Sequence, residues 1–357
     1  MGKYERDDIR RMQGYTWGEQ PDASQVIKLN TNENPYPPTP AVDAALDALK
    51  GAQLRRYPPP TAASLRDAVA QHHTVHPDQV VITHGGDEAL RLAMTTFVPA
   101  GGVFGMAEPS YSLYPVLADV QGAQVVRIPL TENWLPPTDL AARLNQAGAR
   151  LTCLVNPHAP SGTLLDVDQL TTIAQELDGV LLVDEAYVDF IDPARHYASE
   201  NLLAEDNVLI LRTFSKGYSL AGMRLGYLLG DTGLIEPIVS KTRDSYNVDW
   251  ISQQVGIAAI EDQTYAKETW RKVREQRRLV ANNLGQLGMT CNTSESNFLL
   301  ASVPTGQEAK EIYLALKARN ILVRYFDQPG LRDKLRISIG SEPENEALLA
   351  ALTDVLT

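Results

Sequence analysis

Cysteine is scarce in this sequence, which has only Cys153 and Cys291 among its 357 residues. Two cysteines cannot supply a disulfide framework, and by themselves they cannot supply a zinc site. Reduced thiols are typical of cytosolic enzymes, because the redox buffer of the cytosol keeps them reduced. We therefore interpret both cysteines as residues of the core.

Long apolar runs are absent as well. The apolar runs are short and flanked by charged residues, and the first twelve residues, MGKYERDDIRRM, contain no apolar signal segment. A membrane-spanning helix needs about 20 consecutive apolar residues. The sequence therefore predicts a cytoplasmic protein that is neither secreted nor bound to a membrane.

Concentrated positive charge is the third absence. Asp and Glu outnumber Lys and Arg by 44 to 32, which gives a formal net charge of −12, and the basic residues form no cluster. Proteins bind nucleic acids through concentrated positive charge, so this balance argues against a nucleic-acid partner. It leaves room for an anionic small molecule that is bound by a few arginines inside a pocket.

Metal ligands are not grouped in the sequence. The neighbouring residues His72, His73 and His76 lack an acidic or thiol ligand at a spacing that suits a metal. Because they precede a proline-containing loop, we expect a solvated helix end here and no metal site.

The pattern of apolar residues divides the chain into three parts. Residues 1–40 are irregular and rich in Pro and Asn, which predicts an N-terminal arm. Residues 41–248 alternate short apolar strands with helical segments, and residues 249–357 begin with a long helical pattern and continue as a smaller unit. The predicted strands of the middle part lie at residues 79–83, 102–107, 123–128, 151–156, 179–185, 208–214 and 225–230.

Nearly continuous apolar strands that alternate with helices are typical of a mainly parallel sheet with helices on both faces. We therefore predict an α/β fold with a large domain over residues 41–248, built on a seven-stranded sheet, and a smaller C-terminal α/β domain over residues 249–357. Sheets of this kind bind ligands at the C-terminal ends of their strands. The functional residues are expected there.

Two glycines follow the first predicted strand and open a helix in the sequence GGDEAL, residues 85–90. The backbone N–H groups of Gly86 and Asp87 would point above the sheet, where the helix dipole favours a phosphate. An ordinary strand-to-helix turn has the same pattern. This motif alone therefore does not decide between the two interpretations.

Two further motifs follow neighbouring strands. Asp184, in VDEAY, ends a buried strand, where a carboxylate is protonated, matched to a cation or used to cap the next loop. The motif TFSKGYSLAGMRLG presents Ser215, Lys216 and Arg224. An amine whose pKa is lowered by burial and a nearby cation can form an imine with an aldehyde, and a hydroxyl and a guanidinium can hold a phosphate.

Together these motifs resemble the fold-type-I aminotransferases that use pyridoxal 5′-phosphate (PLP), and most of all the histidinol-phosphate aminotransferases among them. The similarity extends from about Tyr15 to Gly340, with matching order and spacing. The motifs that carry it are LNTNENPY, RRYP, GGDE, PSYSLY, NPHAPSG, VDEAYVDF, TFSKGYSLAGMRLG and LRISIG.

The resemblance implies a role for each matching residue. Lys216 would hold PLP as an imine and shuttle the substrate proton, Asp184 would bond the pyridine nitrogen, and Tyr187 would hydrogen-bond the phenolic oxygen. The expected cofactor-binding set also includes Gly86, Asp87, Tyr111, Asn156, Ser215, Arg224 and, reaching in from a second subunit, Tyr57. This last contribution implies a homodimer with shared active sites.

On the substrate side, the resemblance implies an arginine that grips the anionic group of the substrate. Arg336 matches that residue, and its planar fork suits bidentate binding. The other expected substrate-binding residues are Tyr15, Asn32, Asn247 and Arg324. For Arg324, an ordinary surface charge on a strand is an equally good interpretation.

One position departs from the family pattern. Most relatives have Asn-Asn-Pro-Thr-Gly where this chain has the sequence His158-Ala159-Pro160-Ser161-Gly162. The second Asn of the family pattern donates to the phenolic oxygen of the cofactor, and Ala159 has no donor. The departure leaves open how the cofactor is tuned in this chain.

The resemblance implies transamination between histidinol phosphate and 2-oxoglutarate, a step of histidine biosynthesis, with a small-molecule amino donor and a 2-oxo acid acceptor. An aromatic amino acid aminotransferase and a phosphothreonine-type decarboxylase share the same cofactor motifs. A non-catalytic PLP-binding regulator is a third alternative, but it needs a DNA-binding or partner module. The first forty residues are acidic and Pro-rich, and they cannot form a winged helix.

Overall fold

The computed structural model describes residues 4–20 and 26–356. The N-terminal arm contains the short helix α1 (Asp7–Arg11) and the two-residue strand β1 (Ile27–Lys28). The helices of the predicted large domain are α2 (Pro40–Ala48), α3 (Ala63–His73), α4 (Gly85–Phe97), α5 (Leu113–Gln121), α6 (Leu140–Gln146), α7 (Val167–Glu176) and α8 (Thr232–Pro237). Its strands are β2 (Val80–Thr83), β3 (Val103–Glu108), β4 (Gln124–Pro129), β5 (Ala149–Val155), β6 (Val180–Asp184), β7 (Val208–Thr213) and β8 (Gly226–Gly230).

All seven predicted strands form one sheet, as the apolar runs indicated. The strand order is β2-β8-β7-β6-β5-β3-β4. Only β8 runs antiparallel to its two neighbours, and the other pairs are parallel. The prediction of a mainly parallel seven-stranded sheet is therefore confirmed.

Helices cover both faces of this sheet, because alternate side chains of each strand belong to different cores. On β7, Val208 and Ile210 pack into one core, while Leu209 and Leu211 pack into the other. All four are at most 1% exposed. A strand that is buried on both faces must be apolar at every position, which explains the continuous apolar runs.

The C-terminal part contains a second, smaller sheet. Its strands β9, β10, β12 and β13 are antiparallel in the order β12-β13-β10-β9. The elements of this part are α9 (Trp250–Glu261), α10 (Gln263–Gln286), β9 (Thr290–Cys291), β10 (Phe298–Ser302), α11 (Ala309–Ala318), β11 (Ile321–Leu322), β12 (Arg324–Tyr325), β13 (Lys334–Ser338) and α12 (Glu342–Leu356). A smaller α/β unit is therefore present, as expected.

Packing groups the first of these helices with the large domain. Helix α9 packs on α2 and α3, and at Gly256 a β-carbon would lie 2.5 Å from a methyl group of Leu225 and 3.1 Å from those of Leu65. Asp262 then separates α9 from α10 and caps α10 by accepting the Tyr265 N–H. Helix α9 therefore packs on helices of the large domain, and the boundary at residue 248 stays a prediction.

The N-terminal arm is tied to the small domain. Strand β1 pairs in parallel with β11, where Ile27 lies opposite Ile321. Leu29 continues the pairing, because its N–H donates to the Leu322 carbonyl over 2.7 Å and its carbonyl accepts from the Ser338 N–H over 3.0 Å. The arm thus completes an edge of the small domain before it reaches the cleft.

One histidine differs from expectation. His73 is 5% exposed and is held between Glu200, at 2.8 Å from Nδ1, and the Tyr227 hydroxyl, at 2.8 Å from Nε2. The helix end that carries it packs on the sheet, so only the neighbouring His76 is exposed. Within residues 4–20 and 26–356, no three possible ligands are grouped around a metal position, and no helix is long and apolar enough to cross a membrane.

The burial of Leu29 predicts that the arm contributes to stability. Leu29 is 1% exposed, so Leu29→Ala should lower the free energy of unfolding by about 2–5 kcal/mol. Leu314→Ala is the matched control, because Leu314 lies on helix α11 of the small domain and is 51% exposed; its effect should stay within about 0.5 kcal/mol. Urea denaturation measures both, and equal effects would contradict the assignment of the arm to the core.

Candidate active site

A cleft of about 820 Å³ lies where the arm, the ends of the large-sheet strands and the small domain meet. Strands β6 and β7 are hydrogen-bonded neighbours, so the residues that follow them enter the cleft side by side. Most of the expected site residues line it: Tyr15, Asn32, Gly86, Asp87, Tyr111, Asp184, Tyr187, Ser215, Lys216, Arg224, Arg324 and Arg336.

The amine of Lys216 faces this cleft from the turn after β7. Its Nζ donates a hydrogen bond to the Thr31 carbonyl of the arm over 2.8 Å. Burial lowers the pKa of Lys216 to about 8, although Glu33 opposes the shift. A substantial neutral fraction at physiological pH makes this amine a nucleophile and a proton acceptor.

Asp184 supplies a buried carboxylate at the end of β6. One oxygen accepts from the Tyr114 hydroxyl over 2.7 Å, and the other accepts from the Ala186 N–H over 3.1 Å. Burial raises the pKa of Asp184 to about 6, while these two hydrogen bonds favour the charged form. The carboxylate is therefore suited to a positively charged partner inside the cleft.

Two tyrosines form the aromatic wall around these groups. The Tyr111 ring makes an edge contact with the Tyr114 ring at 5.6 Å and with the Tyr15 ring at 5.7 Å. The Tyr187 ring packs on Phe298 at 4.9 Å and at 87°. Burial raises the pKa values of Tyr111 and Tyr187, so both phenols stay protonated near neutral pH.

An anion cradle lies at the start of helix α4. Arg224 forms an ion pair with Asp87 at 3.2 Å, and Ser215 lines the same cleft. A β-carbon at Gly85 would lie 2.8 Å from Nη2 of Arg224, and Gly85 has a φ of +77°. Glycine is therefore required for the guanidinium to approach the first turn of the helix, where backbone N–H groups and the helix dipole favour a phosphate.

The opposite end of the cleft carries two arginines that face each other. Arg324 and Arg336 are directly opposite in the antiparallel pairing of β12 with β13. Arg336 donates to the Asn30 carbonyl over 2.9 Å and lies between the rings of Phe298 and Phe326, at 5.4 and 5.5 Å. Like charges opposite each other destabilise a strand pair, so this arrangement is suited to an anion.

Three expected residues do not line this cleft. The side chain of Asn156 is hydrogen-bonded outside the cleft, because its amide nitrogen donates to the Leu165 carbonyl and the Tyr197 hydroxyl and its oxygen accepts from the Leu165 N–H. Asn247 donates to the Ile82 carbonyl and to Glu88. In both cases polar groups of the scaffold hold the amide outside the cleft of this structure, and the expected ligand roles stay predictions.

Tyr57 is the third of these residues. It is 80% exposed, and its ring stacks on that of Tyr246 at 4.4 Å on the outer surface. It does not reach the cleft of its own chain. Its expected role in the site of a second subunit stays a prediction.

Sequence reasoning missed two contributors to the site. Tyr114, which orients Asp184, lies one helical turn after Tyr111 in PSYSLY, and that spacing was a usable signal because residues three apart share a helix face. Thr31 contributes only its backbone carbonyl to Lys216. No side-chain pattern could have indicated it.

Comparison with known proteins places the chain in a family. The sequence model of the aminotransferase class I and II family matches residues 24–352. The chain belongs to this family. It is 42% identical to histidinol-phosphate aminotransferase 1 of Trichormus variabilis over 100% of both chains, and 39% identical to histidinol-phosphate aminotransferase of Geotalea daltonii over 98% of this chain and 99% of that one.

Solved structures in the family share the fold. The histidinol-phosphate aminotransferase of Sinorhizobium meliloti, in complex with pyridoxal-5′-phosphate, aligns with a TM-score of 0.86 and 27% identity, over 92% of this chain and 90% of that chain. The aminotransferase of Staphylococcus aureus aligns with a TM-score of 0.86 and 18% identity over 99% of both chains, which shows the fold alone. The fold-type-I prediction is therefore confirmed.

The contact between Gly85 and Arg224 predicts how the cradle fails. Gly85→Ala should displace the guanidinium and weaken PLP binding about ten- to a hundredfold, the value of one hydrogen bond to a charged group. Gly122→Ala is the matched control, because Gly122 has a similar φ of +72° with no atom within 4 Å of its β-carbon position. Both variants should lose similar stability, but only the first should lose affinity in a fluorescence titration with PLP; equal affinities would count against the cradle.

Proposed function

We propose that this chain is a PLP-dependent histidinol-phosphate aminotransferase that uses 2-oxoglutarate as the amino acceptor, a step of histidine biosynthesis. The structural observation that carries the proposal is one cleft with a nucleophilic lysine and a buried carboxylate at one end and two facing arginines at the other. The full-length similarity to curated histidinol-phosphate aminotransferases supports the choice of substrate.

The residues present fit PLP. Lys216 can take its aldehyde carbon, Asp184 its ring nitrogen, Tyr111 the ring face, and Ser215 and Arg224 its phosphate. When bound, PLP supplies an aldehyde that takes up the substrate amine and an electron-poor ring that withdraws negative charge from the substrate carbon. At the cradle, the Arg224 guanidinium and the N-terminus of helix α4 supply donors and positive charge that suit a phosphate.

The protein side of the reaction is proton handling and positioning. Asp184, kept in place by Tyr114 and Ala186, favours a proton on the ring nitrogen, because an ion pair at about 4 Å with an effective dielectric constant of about 20 is worth about 4 kcal/mol. Nζ of Lys216 would accept the proton from the substrate carbon and return it to the carbon that was the aldehyde carbon of PLP. Its contact with the Thr31 carbonyl keeps the amine close to this path.

The anionic end of each substrate would be bound by Arg336 and Arg324. In the first stage they face the phosphate of histidinol phosphate, and in the second stage they face a carboxylate of 2-oxoglutarate. A dianionic phosphate uses more donors than a carboxylate does. The second arginine, Arg324, and the nearby Tyr15 should therefore matter most for the phosphorylated substrate.

A second candidate substrate class is favoured by the aromatic lining of the cleft. Trp17, Tyr111 and Phe326 line it and would pack equally well on an imidazole or a phenyl ring. An aromatic amino acid aminotransferase therefore remains the alternative. Arg324 distinguishes the two substrate classes, because the single carboxylate of an aromatic amino acid uses fewer donors than a dianionic phosphate does.

We also infer a homodimer with shared active sites and a cytoplasmic location. Leu54, Tyr57 and Tyr246 are 53, 80 and 46% exposed, and exposed apolar side chains close together are typical of a protein interface. A second copy seated there would bring Tyr57 towards the cofactor phosphate of its neighbour. The biosynthetic step that we propose uses metabolites of the cytoplasm.

The role of Lys216 predicts the site of a covalent link. Borohydride reduction of the PLP-loaded protein should attach the cofactor to Lys216, which peptide mass spectrometry locates. Lys216→Ala should lack both the label and the visible absorption band, while Lys28→Ala, a change at a nearby lysine that pairs with Glu33, should keep them. A label on any other lysine would refute this assignment.

The facing arginines predict substrate preference. Arg324→Met should lower kcat/KM for histidinol phosphate about ten- to a hundredfold, equivalent to about 1.5–3 kcal/mol, and should affect glutamate less. Arg336→Met should impair both substrates. The decisive quantity is the ratio of the two specificity constants; if Arg324→Met leaves it unchanged, or if the wild type prefers phenylalanine, the aromatic interpretation should replace ours.

A further inference from the structure

The side chain of Asn32 is fixed in one orientation. Its backbone N–H donates to the Ser338 hydroxyl over 2.9 Å, and that hydroxyl donates to the Oδ1 of Asn32 over 2.8 Å. A serine hydroxyl has a single hydrogen, so accepting from the backbone leaves that hydrogen for Oδ1. With Oδ1 facing Ser338 this buried hydrogen has an acceptor, which the flipped amide would not provide, so Nδ2 is the end that donates.

The backbone conformation of Asn32 is fixed as well. Asn32 is 1% exposed, its φ of +57° is left-handed, and its carbonyl accepts from the amide of Asn297 over 2.9 Å. Asparagine is one of the few residues that adopt this conformation readily. Three contacts to the small domain thus fix one amide group of the arm.

The fixed amide is directed at Tyr187. Its Nδ2 donates to the Tyr187 hydroxyl over 3.1 Å, so the acceptor side of that hydroxyl is occupied. The hydroxyl hydrogen then has to point elsewhere, and Tyr187 lines the cleft. With its ring fixed against Phe298, Tyr187 becomes a donor towards the interior of the cleft.

The loop that follows β5 offers no competing donor. Asn156 is used by Leu165 and Tyr197. His158 is used by the Ser161 hydroxyl at 2.8 Å and the Pro109 carbonyl at 2.9 Å. Ala159 lines the cleft, and its side chain is a methyl group without a donor, so Tyr187 is the side-chain donor on this side.

We propose that Asn32 is a positioning residue for the cofactor rather than a substrate ligand: held by Ser338, it turns the Tyr187 hydroxyl hydrogen towards the phenolic oxygen of PLP and so supplies the donor that Ala159 lacks. This inference rests on the cofactor of the proposed function. If it holds, the arm and the small domain help to stabilise the phenolate of PLP, although residues of the large domain would make most contacts with the cofactor.

The inference makes a spectroscopic prediction. A hydrogen bond donated to the phenolic oxygen stabilises the deprotonated form of the PLP–lysine imine. When that hydrogen bond is lost, the imine keeps its proton to higher pH, and the pH midpoint of the visible absorption rises. A hydrogen bond to a charged group corresponds to about one to two pKa units. The charged or titratable groups that face Tyr187 include Asp184 from β6, Arg336 from β13, Tyr15 from the arm and Tyr111 from the segment before α5. All of them are unchanged in the variants below.

Asn32→Asp is the first test, because it keeps the shape and the tolerated backbone while replacing the donor by an acceptor. The Tyr187 hydrogen should turn to the new carboxylate, and the midpoint should rise by about one to two pH units. The added negative charge alone could also raise the midpoint. The same substitution is therefore made in a Tyr187→Phe background, where no hydroxyl can turn.

The double-mutant cycle decides between the two causes. We expect the shift caused by Asn32→Asp to fall to less than half in the Tyr187→Phe background. Equal shifts in both backgrounds would show that charge alone acts, and would overturn the proposal.

Ser338→Ala is a second, independent variant in case Asn32→Asp does not fold. It releases the amide of Asn32 and should also raise the midpoint, whereas Ser341→Ala, whose hydroxyl contacts Glu344 away from the cleft, should not. Equal midpoints for the two serine variants would overturn the proposal. Because the titration needs no substrate, failure to turn over histidinol phosphate would count against the proposed function and leave this inference standing.

Discussion

A carboxylate buried at the end of a parallel strand is the constraint around which this site is organised. Such a group costs folding free energy unless hydrogen bonds or a cation compensate it. Asp184 receives one hydrogen bond from the loop that follows it and one from Tyr114 on helix α5. Tyr111 directly precedes this helix, so the segment that holds the carboxylate also positions one tyrosine of the aromatic wall.

The sequence predicted the buried strands and the polar residues that lie at their C-terminal ends. Continuous apolar runs predicted the strands because burial on both faces leaves no polar position, and Asp184 and Lys216 were found because polar residues directly after such strands enter the cleft. The ligand roles of Asn156 and Asn247 stay predictions. Both amides donate to backbone carbonyls here, and a sequence does not show which partner an amide takes. His73 was misjudged because its partner Glu200 is distant in sequence.

Backbone groups explain most of what the sequence could not show. Three consecutive residues of the arm each hold a different part of the site: the Asn30 carbonyl accepts from Arg336, the Thr31 carbonyl accepts from Lys216, and the Asn32 amide donates to Tyr187. Two of these contacts use carbonyl oxygens, which every residue has. The pattern LNTNENPY therefore marks the segment without telling which atoms act.

The pairing of β1 with β11 has a consequence for the order of events during synthesis. The arm is synthesised before its partners, because Asn32 precedes Ser338, to which it is hydrogen-bonded, by 306 residues. Until those partners are made, Leu29 has no core to enter, and the edge of the arm is exposed to other chains. Contacts between segments so distant in sequence form slowly, because a long loop must close before they stabilise anything. The arm can therefore complete the cleft only after β11 and β13 have been synthesised.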